Sequence, residues 1–170
     1  MFTLAPPLRS GEVDQYASQV LALLHFDDAP GSVIPASALG GATMTNAGAG
    51  SVSAAAAHFG SGGWRATPTS PLQIANSSAI STESYTIEFF FKVRATSLYN
   101  RFFGAVNSGE GNQLYLFLSG GTLWTSRAGS SDIATSGSVT IGAWNYICIQ
   151  YNPAGTSTTI DLNGSRVLTT

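Results

Sequence analysis

The chain has 170 residues, 9 % of them charged, and a formal net charge of −2 at pH 7. That length fits one domain able to bury a core without disulfide or metal staples. The charge balance leaves no basic footprint for nucleic-acid phosphates, and no apolar run approaches the roughly 18 residues a membrane-spanning helix needs.

An average soluble protein carries about 25 % charged residues. Here Thr, Ser, Ala and Gly take that space, and Lys92 is the sole lysine. Such a surface suits a part packed into a larger assembly, or an exposed surface protein, better than a free cytosolic enzyme. Residues 1–18 read as an extended N-terminal arm. Pro6-Pro7 stiffens it and the stretch from Arg9 to Asp14 is polar; such a segment is either a loose tail or an anchor onto a partner surface. The first 19 residues lack a basic segment followed by an apolar one, so no secretory signal is expected.

Next comes VLALLHF, residues 20–26, a continuous apolar run closed by Asp27-Asp28 and Ala-Pro-Gly-Ser. The abrupt stop predicts a strand buried on both faces. Asp27 and Asp28 read as turn caps, because a calcium loop needs about six or more oxygen ligands. From 29 to 80 small residues dominate. SAAAAHF has helix-forming alanines, but Gly48, Gly50, Gly60, Gly62 and Gly63 crowd both sides and leave too little length for a helix. An irregular strand with a turn at Gly60–Gly63 is expected. His25 and His58 share no metal-binding spacing.

YTIEFFFKVRA, residues 85–95, is the most patterned stretch. Tyr85, Ile87, Phe89, Phe91 and Val93 share one face; Thr86, Glu88, Phe90, Lys92 and Arg94 share the other. Period two marks a strand with one dry face. Phe90 is out of phase: either a crossing loop covers it or it is offered to another subunit or ligand. Further strands are expected at 101–106, 113–119, 122–127, 138–142, 144–152 and 157–164, with 166–170 pairing back. Gly120-Gly121 and Asn163-Gly164 read as hairpin turns, and NPAGTS as a turn. Cys148, the lone cysteine, lies in the apolar WNYICIQY run and reads as a buried, inert thiol. Short strands with turn signals every eight to twelve residues or so predict an all-β protein: a two-sheet antiparallel β-sandwich of the jelly-roll type over residues 19–170.

Five segments occur in a familiar order: LLHFDD, HFGSGG, YTIEFFFKV, WNYICIQYN and TIDLNGSRV. Together, over residues 20–168, they resemble the laminin-G-like, concanavalin A-like lectin/glucanase jelly-roll superfamily, and in particular the version common in bacteriophage virion proteins. The family pattern runs on for roughly two more strands after the Asn-Gly hairpin, whereas this chain stops at Thr170. The arm, a partner or a further piece of chain would then cover the sheet edge, which natural proteins rarely leave bare. Phe-Phe-Phe also stands where the family often has Trp.

That fold hosts lectins, glycosidases, peptide-binding modules and structural domains, so function must come from residues. Glycoside hydrolysis needs two carboxylates flanking one bond. Glu88 stands alone between Ile87 and Phe89, and Glu12, Asp14, Asp27, Asp28, Glu83, Glu110, Asp132 and Asp161 are scattered singly. No catalytic residue, no metal and no cofactor is therefore expected, and the chain reads as a non-enzyme. Trp64, Tyr99, Trp124 and Phe90 are the candidate contacts with a glycan or a partner. Trp64 and Tyr99 lie in or beside loops, where binding residues concentrate; either Trp also serves a core, and Trp144 is assigned there. The resemblance implies a non-enzymatic virion structural protein, a tail-fibre or tail-appendage domain. It would be made in the host cytoplasm and assemble with itself, a trimer fitting, or with other virion proteins. The alternative is a glycan-binding adhesin for host surface polysaccharide, or a capsid decoration protein.

Overall fold

The computed structural model describes residues 24, 26, 28–33, 43–46, 49–66, 72–75, 84–94, 100–105, 114–127, 133–152 and 157–170. The arm, Tyr99 and most of the 20–26 run lie outside these residues. Leu24 and Phe26, the two members of that run that are described, are not in a strand. The chain divides into two compact units, Met1–Ala75 and Asn76–Thr170.

In the first unit the described strands are short: β1 (Thr43–Asn46), β2 (Ser51–Ser53), β3 (Gly63–Arg65) and β4 (Leu72–Ala75). β1 pairs antiparallel with β4 and β2 with β3. Between β2 and β3 the sequence leads to the expectation of an irregular strand, but the chain instead makes a 3-10 turn at Ala54–Ala56. Ala57 N–H donates to the Ala54 carbonyl at 3.2 Å. Glycine makes the return possible: a Cβ on Gly63 would run into the backbone carbonyl of Ala56, and one on Gly50 would sit 2.6 Å from the Trp64 ring. The backbone therefore packs where a side chain would otherwise stand.

The second unit contains β5 (Tyr85–Lys92), β6 (Asn100–Ala105), β7 (Leu114–Ser119), β8 (Thr122–Arg127), β9 (Ile133–Ser138), β10 (Trp144–Asn152), β11 (Ser157–Leu162) and β12 (Ser165–Thr169). They form two four-stranded antiparallel sheets, ordered β12-β11-β10-β5 and β6-β7-β8-β9. Leu116, Leu118, Leu123 and Val139 meet Ile147, Ile149, Ile160, Leu162 and Val93 in one core, with Ile87, Phe89 and Phe91 packed at its margin. Each fully buried Leu or Ile contributes roughly 1.5–3 kcal/mol. Surface ion pairs are worth about 1 kcal/mol or less, so apolar layering, not charge, holds this unit together. The sheets approach at β9 and β12, where Ser136 Oγ donates to the Val167 carbonyl at 3.1 Å.

The turns follow their residues. Gly120 and Gly121 both have positive φ, 59° and 87°, as do Asn163 and Gly164, 51° and 81°; this is the backbone of a tight two-residue hairpin. One expected strand is misplaced. Residues 138–142 are not a strand: β9 ends at Ser138, and Gly142, with φ 77°, turns the chain back and donates to the Val93 carbonyl at 2.8 Å. The protein is thus an all-β, two-sheet antiparallel sandwich in its second unit, in line with the sequence pattern.

Candidate functional site

Strand β5 obeys its period strictly: Tyr85, Ile87, Phe89 and Phe91 are half-buried while Thr86, Glu88, Phe90 and Lys92 are exposed. β10 runs antiparallel beside it in the same phase. Asn145, Ile147, Ile149 and Tyr151 point inward, so Trp144, Tyr146, Cys148 and Gln150 share the outer face. Trp144 therefore leaves the core and stands half-buried outside, because it shares the phase of Tyr146 and not of Ile147.

The register fixes rows across this outer face. Lys92 lies beside Trp144, Phe90 beside Tyr146, and Glu88 beside Cys148. Cys148 in turn neighbours Asp161, and Asp161 neighbours Arg166. Below them Gln150 lies between Thr86 and Thr159, and Thr159 Oγ1 donates to Gln150 Oε1 at 3.2 Å. Phe90 is 44 % exposed, and its ring meets that of Tyr146 at 5.0 Å between centroids, tilted by 43°. That geometry is an ordinary favourable aromatic contact. It covers part of the Phe90 ring.

Asn145 and Asn163 hold Tyr146 in place. Asn163 Oδ1 accepts from the Tyr146 N–H at 2.8 Å, and the Asn163 N–H returns a bond to the Tyr146 carbonyl at 2.9 Å. Asn163 Nδ2 then donates to Asn145 Oδ1 at 3.2 Å. Burial, and then the Glu88 carboxylate through its charge and a hydrogen bond, push the Tyr146 phenol up to about 12. Burial first, and then the same carboxylate, push the Cys148 thiol up to about 11, so the thiol stays protonated and unreactive near neutral pH.

Two carboxylates thus share this face. Glu88 and Asp161 flank Cys148 from neighbouring strands, two strand spacings or about 9.6 Å apart at Cα. Inverting glycosidases place their carboxyl groups roughly 6.5–9.5 Å apart, a separation between carboxyl groups that a Cα spacing does not fix. Arg166 Nε and Nη2 donate to the two Asp161 oxygens at 2.6 and 3.1 Å, a fork that ties this carboxylate to a cation and leaves Glu88 as the other acid of the face. Among the described residues no three His, Cys, Asp or Glu side chains gather in a way that would hold a metal ion.

The other candidate contacts lie elsewhere. Trp64, in β3 of the first unit, sits against Phe26 at 6.4 Å between ring centroids and over Gly50. Trp124, in β8, stacks on Phe117 at 6.3 Å and 14°. Both indole nitrogens are buried and without a hydrogen-bond partner among the described residues. Of the candidates among the described residues, Phe90 is the most exposed; its strand neighbours Glu88 and Lys92 were already on its face in the sequence, and the structure adds Tyr146, which sequence reasoning did not assemble with them. The signal for Tyr146 was its even phase in 144–152, but its place beside Phe90 depends on the β5–β10 register, which no single strand carries.

A family model described as the concanavalin A-like lectin/glucanases superfamily matches residues 65–170, more than half of the chain. No curated protein matches it.

Proposed function

The chain belongs to the concanavalin A-like lectin/glucanases superfamily, a membership compatible with carbohydrate binding or a structural role, and on that premise we propose that it is a non-enzymatic structural domain of a bacteriophage particle. It is a tail-fibre or tail-appendage part that assembles through the outer face of the β12-β11-β10-β5 sheet. One observation carries this reading: a large aromatic, Phe90, stands exposed on a regular sheet face of a chain with few charges. Exposed aromatics on flat, weakly charged surfaces are typical of interface centres. The assignment to a virion rests on the order of the five segments that resemble virion proteins.

Sedimentation velocity tests the assembly. The native chain should self-associate in a concentration-dependent way, and Phe90→Asp should sediment as a folded monomer. A native chain that stays monomeric at every concentration would contradict it. Mass spectrometry of purified particles from the phage that encodes the chain tests the location, and its absence from the particle would remove the virion assignment. The alternative role, adhesion to host surface polysaccharide, draws support from the same face: the exposed Phe90 ring offers a stacking surface, and the polar groups of Gln150 and Thr159 lie two rows further along the sheet. Binding on a glycan array that is lost in Phe90→Ala would favour it over assembly.

A further inference from the structure

Resting on that assembly reading, we infer that the partner on this face is a second copy of the chain. The two copies are related by a two-fold axis that passes through Phe90 at right angles to β5, so that each Glu88 faces the Lys92 of the other copy. The outward residues of β5 run acid, aromatic, base: Glu88, Phe90, Lys92, all exposed. Reversed, this series is its own complement. A two-fold axis lying in the plane between two stacked faces, perpendicular to the strands, reverses it. Phe90 then meets Phe90, and both Glu88–Lys92 pairs are satisfied at once. A two-fold interface is isologous, so one patch must complement itself, and this one does.

The neighbouring rows agree. Tyr146, beside Phe90, comes to lie over the Tyr146 of the second copy. Trp144, beside Lys92, comes to lie over Cys148, a small side chain beside Glu88. Asp161 and Arg166 already neutralise each other. Neither Glu88 nor Lys92 is in an ion pair among the described residues. The competing stack, with the axis along the strands, sets Glu88 on Glu88 and Lys92 on Lys92, which repel. A three-fold ring joins two different patches and makes no use of the self-complementary series. The inferred unit is thus a dimer, not the trimer that the resemblance accommodates.

Within one chain Glu88 and Lys92 are four residues apart on a strand, about 13 Å, beyond the Debye length of about 8 Å at physiological salt. They do not support each other inside the fold; Lys92 is in no ion pair among the described residues, whereas Glu88 also engages Tyr146 and Cys148, so the Lys92 change and the mixture are the arms that isolate association. The test uses Glu88→Lys and Lys92→Glu, each confirmed folded by its thermal transition, in sedimentation velocity. Each variant alone should weaken self-association roughly tenfold or more, since two attractive pairs become two repulsive ones. An equimolar mixture of the two should recover association as a heterodimer, because every facing pair is again opposite in sign. Should either variant fail to fold, the native chain supplies the test: its association should weaken as salt rises. Single variants that associate like the native chain, a mixture that fails to recover, or salt-independent association would overturn the two-fold arrangement while leaving assembly through another surface intact. A native chain that is monomeric throughout would remove both.

Discussion

Asn145 is 1 % exposed, yet every polar atom of its side chain is used. Nδ2 donates to the Thr140 and Ala143 carbonyls at 3.0 Å each, while Oδ1 accepts from the Thr140 N–H at 3.1 Å and from Asn163 Nδ2 at 3.2 Å. Removing it takes the partner from the Thr140 N–H, the Thr140 and Ala143 carbonyls and the Asn163 amide in a part-buried turn, hydrogen bonds worth about 0.5–1.5 kcal/mol net each. Asn145→Ala should therefore lower stability by about 2–4 kcal/mol in urea denaturation and loosen the turn that seats Tyr146. A second prediction concerns pH. Tyr146 rises from 10.0 to about 12 and Cys148 from 9.0 to about 11, so the fold favours both neutral forms. The unfolded chain then gives up these protons first as pH rises. Their contribution is fully present below pH 9 and falls between 9 and 11 for the thiol and between 10 and 12 for the phenol. Denaturation midpoints followed upward from pH 8 or so should fall through that window, and Tyr146→Phe should remove the later part of the fall. Of these residues the sequence disclosed only phase. That Glu88 reaches both Tyr146 and Cys148 is a consequence of pairing between strands distant in sequence.

At the level of the element, strands whose inward positions are large were legible. β8 and β10 occupy the expected spans, and β5 alternates as its residues dictate. β9 was not legible, because its inward positions are Thr135 and Gly137, not apolar residues. Structure explains the glycine: a Cβ there would lie 2.7 Å from Val167 Cγ1 and 3.0 Å from Leu162 Cδ2. The two sheets close on one another at that point, and only a missing side chain admits the approach. Sequence periodicity picked Val139 and Ile141 instead, but those residues enter the turn after β9. Gly137→Val should overpack this seam and lower stability by about 1–3 kcal/mol, read as a lower thermal midpoint. Val167→Ala in the same background should recover part of the loss. Independent effects would simply add, and recovery marks the contact. The 54–59 stretch was misread for a related reason. Its return depends on Gly63 lying against the Ala56 carbonyl, a contact between segments that local propensity does not encode.

For the molecule as a whole, strand spacing and turn signals were enough to indicate the sandwich found in the second unit, since layer architecture follows from strand pattern and turn chemistry; of the five segments in family order, YTIEFFFKV, WNYICIQYN and TIDLNGSRV fall within the matched residues 65–170. The candidate site was not legible to the same degree. Sequence reasoning looked for aromatic residues in or beside loops, Trp64 and Tyr99, and added Trp124 and Phe90; Tyr99 lies outside the described residues, and the Trp64 and Trp124 indole nitrogens prove to be buried. It kept Phe90 because that ring broke the alternation, and the break is where the molecule shows an open aromatic. The same outer face carries Lys92, the chain's sole lysine, exposed on β5, which makes it possible to interrogate this surface chemically. Acylation of Lys92, followed by mass spectrometry over a range of protein concentrations, tests directly whether this face meets another copy. Lys92 should react as a freely exposed amine in dilute protein and in Phe90→Asp, and should become protected as the native chain is concentrated. Equal reactivity at all concentrations, in a chain that sedimentation finds associated, would contradict the claim.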